Sequence, residues 1–330
     1  MAACCAPGAS AQKSDEPISV GYRPQVFVVA RDGGARRLTG PPGWHDGVAW
    51  APRGHRVSTL ARYTRIEVRD LSGVVQHHIS GGSRFTFPAE WSPDARRLAF
   101  IVDFQSGRGG KLVTTRPDGS DRRVAATRAT DLEWSRDGGT LYYVRYDAGS
   151  STSIWSVPSR GGPTRPFVPG ATSDPQVSPD GRWILFERSE GDDGAGLWVV
   201  RSDGSGRERR VIAPRDLRHG PYRWAPRGAA IYGGKTRDKQ VIVTSLSGTR
   251  RHLGARFFSQ VYEWSPDGKR LAWAQEKFGI TRIWSARTDG KDRRVLARFT
   301  DRTGLTEVDE LEWSPDGRRL AVVPYRHSGD

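Results

Sequence analysis

A short segment of the type Trp-Ser-Pro-Asp-Gly recurs along the chain, and this repetition limits the possible fold more strongly than any other feature. Seven copies follow one another at intervals of 40 to 49 residues. A period near forty indicates a stacked or radial repeat architecture, in which each unit buries its apolar face only against its neighbours. The copies begin at Trp50, Trp91, Trp134, Val177, Trp224, Trp264 and Trp313.

A second repeated segment lies between successive copies of the first. Its β-branched or aromatic residues lead into a Gly-centred turn and then a polar strand, which is typical of a β-hairpin. Ser-Pro-Asp-Gly is also a hairpin turn, because Pro presets φ, Asp bonds its own backbone and Gly adopts positive φ. Two hairpins give four antiparallel strands, named A to D, the size of one propeller blade. The second segments begin at Val26, Ile66, Leu112, Ile154, Leu197, Val241 and Ile283.

The two ends of the repeat array predict how the array closes. It begins with a C–D hairpin at residues 26–39 and ends with an A–B hairpin at residues 313–325, and each lacks its partner. Pairing of these hairpins would complete one blade and remove two open sheet edges. We therefore expect an all-β fold over residues 21–330. It is a seven-bladed β-propeller with four-stranded antiparallel blades, closed by the N-terminal C–D hairpin pairing with the C-terminal A–B hairpin.

Across about residues 24–325 the chain resembles the WD40-like repeat of TolB-type β-propellers. The resemblance rests on WSPDG followed by a strand, and on a second hairpin that continues into Arg-Arg-Leu or Arg-Arg-Val. The chain departs from the pattern at Val177, which replaces Trp, and at residues 51–54 and 225–228, where APRG replaces SPDG. The resemblance implies a propeller that binds other molecules.

The repeated side chains have expected roles. The Trp residues should wedge between neighbouring blades, with looser packing around Val177. Arg pairs that follow the C–D turns should protect the exposed edge strand, or else form a basic belt for a polyanion. Carboxylates that precede Trp should face the central channel and pair with Arg from the adjacent blade, or else hold a cation. These residues are Glu90, Glu133, Glu263 and Glu312, with Gln176 and Arg223 at the same position in two other repeats.

The D–A loops are the predicted binding site, because they are longer and less regular than the tight turns on the opposite face. They carry aromatic and Arg side chains, which are typical anchors of protein interfaces. A protein partner or an anionic cell-surface polymer would bind on this D–A and B–C loop face. The candidate binding residues are Trp44, His45, Arg84, Phe85, Arg215, His219, Phe257 and Phe258.

Catalytic motifs are missing from the sequence. It contains neither the GxSxG nucleophile elbow nor HExxH, and its seven His are scattered. We therefore expect a non-catalytic scaffold with no cofactor. The alternative is a lyase or hydrolase of the propeller type with a metal or polar site in the central channel.

The charge and the N-terminus bear on partners and location. The formal charge of +15 is spread along the whole chain, which indicates an Arg-rich composition and disfavours a nucleic-acid surface. No run of apolar residues is long enough for a membrane span, and we expect a monomer. Residues 1–20 are a disordered tail or a signal-peptide remnant, since Ala9-Ser10-Ala11 fits a cleavage site. The second interpretation places the protein outside the cytoplasm, periplasmic or secreted.

Overall fold

A computed structural model describes the fold, and within its ranges the secondary structure consists of strands and turns. The all-β prediction is therefore confirmed. None of these residues belongs to a helix that is long and apolar enough to span a bilayer. The described residues are 18–19, 24–40, 45–52, 55–80, 89–147, 151–171, 173–188, 196–213, 222–226, 230–235, 240–256, 261–300 and 306–326.

Twenty-eight strands follow one another along these ranges. The first fourteen are β1 (Ile18–Ser19), β2 (Phe27–Ala30), β3 (Ala35–Arg37), β4 (His45–Trp50), β5 (Arg56–Ala61), β6 (Arg65–Asp70), β7 (Val75–Ser80), β8 (Glu90–Trp91), β9 (Leu98–Gln105), β10 (Gly109–Thr115), β11 (Arg123–Trp134), β12 (Thr140–Tyr146), β13 (Thr152–Pro158) and β14 (Arg165–Pro169). The other fourteen are β15 (Ser173–Val177), β16 (Trp183–Arg188), β17 (Gly196–Arg201), β18 (Arg209–Ile212), β19 (Arg223–Trp224), β20 (Ala230–Lys235), β21 (Gln240–Ser245), β22 (Arg250–Arg256), β23 (Tyr262–Trp264), β24 (Arg270–Lys277), β25 (Ile280–Arg287), β26 (Arg294–Thr300), β27 (Thr306–Trp313) and β28 (Arg319–Arg326).

The strands form six sheets, and most sheets contain four consecutive strands. Three of them have the orders β4-β5-β6-β7, β15-β16-β17-β18 and β19-β20-β21-β22. A seven-stranded sheet runs from β8 to β14 because the long strand β11 belongs to two units: its first half pairs with β10 and its second half with β12. Strands β23 to β26 form a further sheet, to which β1 adds in parallel through Ile18 and Ser19. These two residues belong to the segment that the sequence assigned to a tail.

The first and last hairpins lie in one sheet, with the order β27-β28-β2-β3. Strand β2 is antiparallel to β28, with Phe27 opposite Val322 and Val29 opposite Leu320. Main-chain hydrogen bonds therefore join residues from the first and the last hairpin of the repeat array.

Each Ser-Pro-Asp-Gly turn uses its polar atoms in the same way. In the turn before β28, Ser314 Oγ donates to Asp316 Oδ1 at 2.6 Å and accepts from the Arg319 N–H at 2.9 Å. Asp316 Oδ1 also accepts from the Arg318 N–H at 3.0 Å, and Gly317 adopts a φ of 65°. The side chains thus fix the hairpin locally, before any packing against a neighbouring sheet.

The Trp side chains that precede these turns are buried between sheets, as predicted. All six are at most 8% exposed. For example, Trp91 packs with Leu98 and Phe100 of its own sheet against Leu60 and Ile66 of the preceding one.

Five of the six Trp side chains also make the same directed contact. Each indole N–H donates to the carbonyl of the residue that precedes the Trp, or Val177, of an adjacent repeat. The pairs are Trp50 with Glu312, Trp91 with Ala49, Trp134 with Glu90, Trp224 with Gln176, and Trp313 with Glu263, at donor–acceptor distances of 2.8 to 3.4 Å.

Several arginines that follow the C–D turns lie over aromatic rings of their own sheet. Arg293 is 4.3 Å from the ring centroid of Trp284, Arg122 is 5.5 Å from that of Phe100, and Arg210 lies over Trp198. Such cation–π contacts cover apolar surface as well as placing charge at the edge. The paired arginines therefore help to pack the outer strands.

Candidate functional site

One cavity, called the channel below, is lined by the equivalent residue of every repeat. Its volume is about 940 Å³, and the residue that precedes each Trp, or Val177, lines it. Successive side chains of a strand point to opposite faces, so when Trp packs between sheets its predecessor points away from that interface. The seven residues are Ala49, Glu90, Glu133, Gln176, Arg223, Glu263 and Glu312.

The cavity is acidic, although the chain as a whole is strongly basic. Two strands place a second carboxylate two residues before the first, and Asp309 adds another. Among the described residues, seven carboxylates and a single guanidinium, that of Arg223, thus line a cavity in a chain of net charge +15. The carboxylates are Glu90, Asp131, Glu133, Glu263, Asp309, Glu310 and Glu312.

Backbone amides of the neighbouring sheet hold some of these carboxylates. Glu312 Oε1 accepts from the Trp50 N–H at 3.3 Å, and Glu310 Oε2 accepts from the Val48 N–H at 3.0 Å. Strand β4 is the first strand of its sheet, so these inward N–H groups have no ladder partner. The prediction that Arg from the adjacent repeat would pair with Glu312 is therefore wrong, because a main-chain amide takes that place. The second oxygen of Glu312 has no hydrogen-bond partner among the described residues.

Burial changes the acidity of the channel. It raises the pKa of Glu263 to about 7, although the positive charge of Arg223 opposes the shift. Burial also raises the pKa of Glu310 to about 7, against the hydrogen bond from Val48. The pKa of Glu312 lies well above its usual range because of burial and the nearby charge of Glu310. Glu263 and Glu310 therefore change their charge near neutral pH.

Of the predicted loop-face residues, His45 falls within the described ranges. It begins β4 and is 4% exposed, with Nδ1 3.8 Å from Glu67 Oε2. Burial lowers the pKa of His45 to about 4, against the attraction of Glu67. His45 thus belongs to a buried network. The other predicted residues lie outside the described residues: Trp44, Arg84, Phe85, Arg215, His219, Phe257 and Phe258.

Glu67 is the centre of that network, and the sequence analysis missed it. The Glu67 side chain is 3% exposed, and it pairs with Arg69 and, at 2.7 Å, with Arg65. His78 Nδ1 is 3.7 Å from Glu67 Oε1. Arg65, Glu67 and Arg69 alternate with apolar residues on β6, so their period of two was a readable sign that they share one face.

The described residues contain no group of three or more His, Cys, Asp or Glu side chains arranged to hold a metal ion.

Comparisons with known proteins agree on the fold. No protein-family model matches the chain. A curated relative, the uncharacterized peptidase YuxL of Bacillus subtilis (strain 168), is 28% identical over 130 residues, which is 37% of this chain and 18% of the relative. The chain thus spans less than a fifth of the curated relative that it matches.

Solved structures match most of the chain. A putative TolB from Agrobacterium tumefaciens has a TM-score of 0.55 and 20% identity, covering 92% of this chain and 99% of that one. The C-terminal WD40 domain of Sif2 has a TM-score of 0.54 and 12% identity, covering 97% and 99%.

Prolyl oligopeptidase B from Galerina marginata is also similar, with a TM-score of 0.62 and 12% identity, covering 90% of this chain and 50% of that one. The sheets of four consecutive antiparallel strands, the recurring Trp contacts and these matches lead to the same conclusion: this chain has a β-propeller fold similar to that of TolB and WD40 proteins.

Proposed function

We propose that the chain forms one closed ring of seven four-stranded blades over residues 21–330, and that this ring is a non-catalytic binding scaffold. The shared sheet of β27, β28, β2 and β3 supports closure. The count of seven is supported by the cavity, which the equivalent residue of each of the seven repeats lines. Indole bonds from Trp313 to Glu263 and from Trp50 to Glu312 link the shared sheet to its neighbours.

The ligand that this ring fits is a cationic segment of a protein partner, such as a Lys- or Arg-rich strand or loop tip that enters the channel. The observation that carries the proposal is the contrast of charge, with seven channel carboxylates against one Arg in a chain of net charge +15. A low-dielectric cavity lined by one sign of charge focuses its field at the mouth and attracts groups of the opposite sign. Basic side chains would relieve the repulsion between Glu310 and Glu312.

The predicted loop residues other than His45 would form the rim of this site. Aromatic and Arg side chains at a channel mouth would anchor the body of a partner, while the channel would select its basic segment. An anionic polymer has less support, because the channel repels anions and several arginines of the proposed belt stack on aromatic rings.

The test is a titration of fluorescent oligolysine monitored by anisotropy, with oligoglutamate as the probe of opposite charge. The wild type should bind oligolysine, and the double change Glu310→Gln and Glu312→Gln should weaken binding by about tenfold. Binding should also weaken as the pH falls from about 8 to about 6, because channel carboxylates with raised pKa become neutral there, whereas exposed ones stay ionised.

A matched pair of changes, Glu276→Gln and Asp289→Asn, removes the same charge from exposed positions outside the channel and should leave oligolysine binding unchanged. Equal weakening by both pairs would show that net charge alone drives the interaction, which would reject the channel as the site. The triple change Arg84→Ala, Arg215→Ala and Phe257→Ala should spare oligolysine but reduce binding of the intact partner, once one is identified.

A second candidate function is peptide hydrolysis, which the similarity to YuxL and to prolyl oligopeptidase B favours. It is tested by incubating the purified chain with fluorogenic proline-containing peptides. Turnover that resists exchange of every channel carboxylate but is lost with a serine-directed inhibitor would replace the scaffold proposal.

The location and assembly of the protein complete the proposal. We propose export, on the strength of Ala9-Ser10-Ala11, and a monomer. Fractionation of cells that express the full gene, followed by light scattering of the purified protein, tests both.

A further inference from the structure

A second charged cleft lies where the first hairpin, the last hairpin and the preceding sheet meet. Its volume is about 410 Å³. Four arginines line it, with Asp32 as the one acidic residue of the lining and Ala30 as the remaining member. The arginines are Arg31, from the turn after β2, Arg294, from β26, Arg318, from the turn before β28, and Arg319, the first residue of β28.

Two other repeats show which contacts an arginine makes at the position of Arg319. In the β8–β11 unit the equivalent residue, Arg97, donates from NH1 to Asp121 Oδ2 at 2.6 Å and from NH2 to the Asp121 carbonyl at 3.0 Å. In the β23–β26 sheet, Arg270 makes the same two contacts with the carboxylate and the carbonyl of Asp292. A carboxylate of the same sheet thus occupies the guanidinium in both units.

The shared sheet of the chain ends lacks that carboxylate. Its C–D turn is one residue shorter: only Gly34 and Ala35 stand between Gly33 and Arg36, where Ser120, Asp121 and Arg122 stand between Gly119 and Arg123. Arg319 instead forms an ion pair with Asp316 of its own turn, at 3.7 Å, a distance too long for a hydrogen bond. Arg56, at the same position in the β4–β7 sheet, instead lies over Trp91 at 5.3 Å.

The backbone holds the cationic groups together. The Arg31 N–H donates to the Arg318 carbonyl at 2.9 Å, which fixes the two turns against each other. Across the cleft, Arg294 Nε is buried and has no hydrogen-bond partner among the described residues. Asp32 lines the cleft and Asp316 forms an ion pair with Arg319, so the four guanidiniums still outnumber these two carboxylates, and a bound anion would relieve the remaining repulsion.

We propose that this cleft binds an oxyanion of the phosphate class, free or as a phosphate monoester, in the place that Asp121 and Asp292 fill in the other units. Guanidinium forks match the geometry of phosphate oxygens and bind them through two parallel hydrogen bonds. The ligand would contact the first hairpin, the last hairpin and β26 at once. This site is separate from the acidic channel and does not depend on the function proposed for it.

Isothermal titration calorimetry tests the proposal with two probes, inorganic phosphate and glycerol 2-phosphate, each at a constant ionic strength set with chloride. The wild type should show saturable binding of at least one probe. The double change Arg318→Gln and Arg319→Gln should weaken it by about tenfold or more. Binding of phosphate alone would assign the site to the free ion, and stronger binding of the ester would assign it to a phosphorylated molecule.

Two further variants guard against a trivial result. Arg116→Gln removes an exposed arginine from the corresponding turn after β10 and should bind like the wild type. Insertion of one Asp between Gly34 and Ala35 restores the length and the carboxylate of the sister turns, so it should abolish binding while keeping the wild-type melting temperature in chloride. A wild type that binds neither probe, or an insertion variant that is folded and binds both normally, would overturn the proposal.

Discussion

Single residues in this protein differ most in how their buried charges are compensated. Glu67 is enclosed by Arg65 and Arg69, with His45 and His78 nearby, so its charge is balanced where it lies. Glu312 has a backbone amide on one oxygen and no hydrogen-bond partner among the described residues on the other. The first arrangement is suited to structure, whereas the second leaves an acceptor for a ligand.

Removing the charge of Glu67 should therefore be costly. Glu67→Gln leaves Arg69, which is 8% exposed, buried without its counter-ion. Loss of one partner of a buried pair is expected to lower the free energy of unfolding by about 3 kcal/mol. Urea denaturation followed by Trp fluorescence measures it. Glu276→Gln, at an exposed position, is the control, and an equal small effect of both changes would contradict a structural role for the network.

The channel carboxylates should make stability depend on pH. Glu263 and Glu310 have a pKa of about 7 in the folded protein against an ordinary value of 4.5, so the folded state holds more protons than the unfolded state between those values. Their contribution to stability is complete below the unfolded pKa and is lost as the pH rises through about 7. The urea concentration at the unfolding midpoint should thus decrease as the pH rises from about 5 to about 8. Glu263→Gln should make this decrease smaller. A midpoint that rises over the same range in the wild type would refute the assignment.

At the scale of elements, the A–B hairpin is repeated, and Val177 replaces the Trp in one copy. Trp side chains before the turn are at most 8% exposed and most donate an indole hydrogen bond to an adjacent repeat, whereas Val177 is only partly buried. Val177 also lines a cavity of about 320 Å³, together with Trp50, Trp91 and Trp134 of other repeats. This observation agrees with looser packing around Val177.

Val177→Trp should fill that space. The new indole can donate to the Glu133 carbonyl, as the other Trp side chains do, and we expect unfolding to cost about 1 kcal/mol more. The change in melting temperature measures this gain. Val177→Ala should have the opposite sign, and a destabilised Trp variant would show that the site is already filled.

Much of the architecture was predictable because each repeat encodes it locally. Ser314 and Asp316 fix their turn through neighbouring atoms, and Trp313 points away from the channel because strands alternate. The partner of Glu312 was not predictable, since it depends on how far one sheet is offset from the next, which no period in the sequence records. The sequence constrained the positions of the loop residues least. Of these residues only His45 lies in the described part, where it is buried next to Glu67.

At the scale of the whole molecule, the sheet that contains the first and the last hairpin of the repeat array should contribute strongly to the free energy of unfolding. Strand β2 lies between β28 and β3, so Phe27, Val28 and Val29 take part in two ladders. Val28→Pro removes one N–H from the middle of this sheet and should destabilise the protein by about 3 kcal/mol or more. Chemical denaturation measures the loss. Val28→Thr keeps the N–H and the branched shape, and a proline variant no less stable than the threonine variant would contradict this role.

That sheet also determines when its strands can pair during biosynthesis. Phe27 and Val29 leave the ribosome long before their partners Val322 and Leu320 are made. Until then one side of β2 remains an open edge that another nascent chain can occupy. Crowded polysomes should therefore favour exchange of the opening hairpin between molecules, and slow release from the ribosome should favour its return to its own chain.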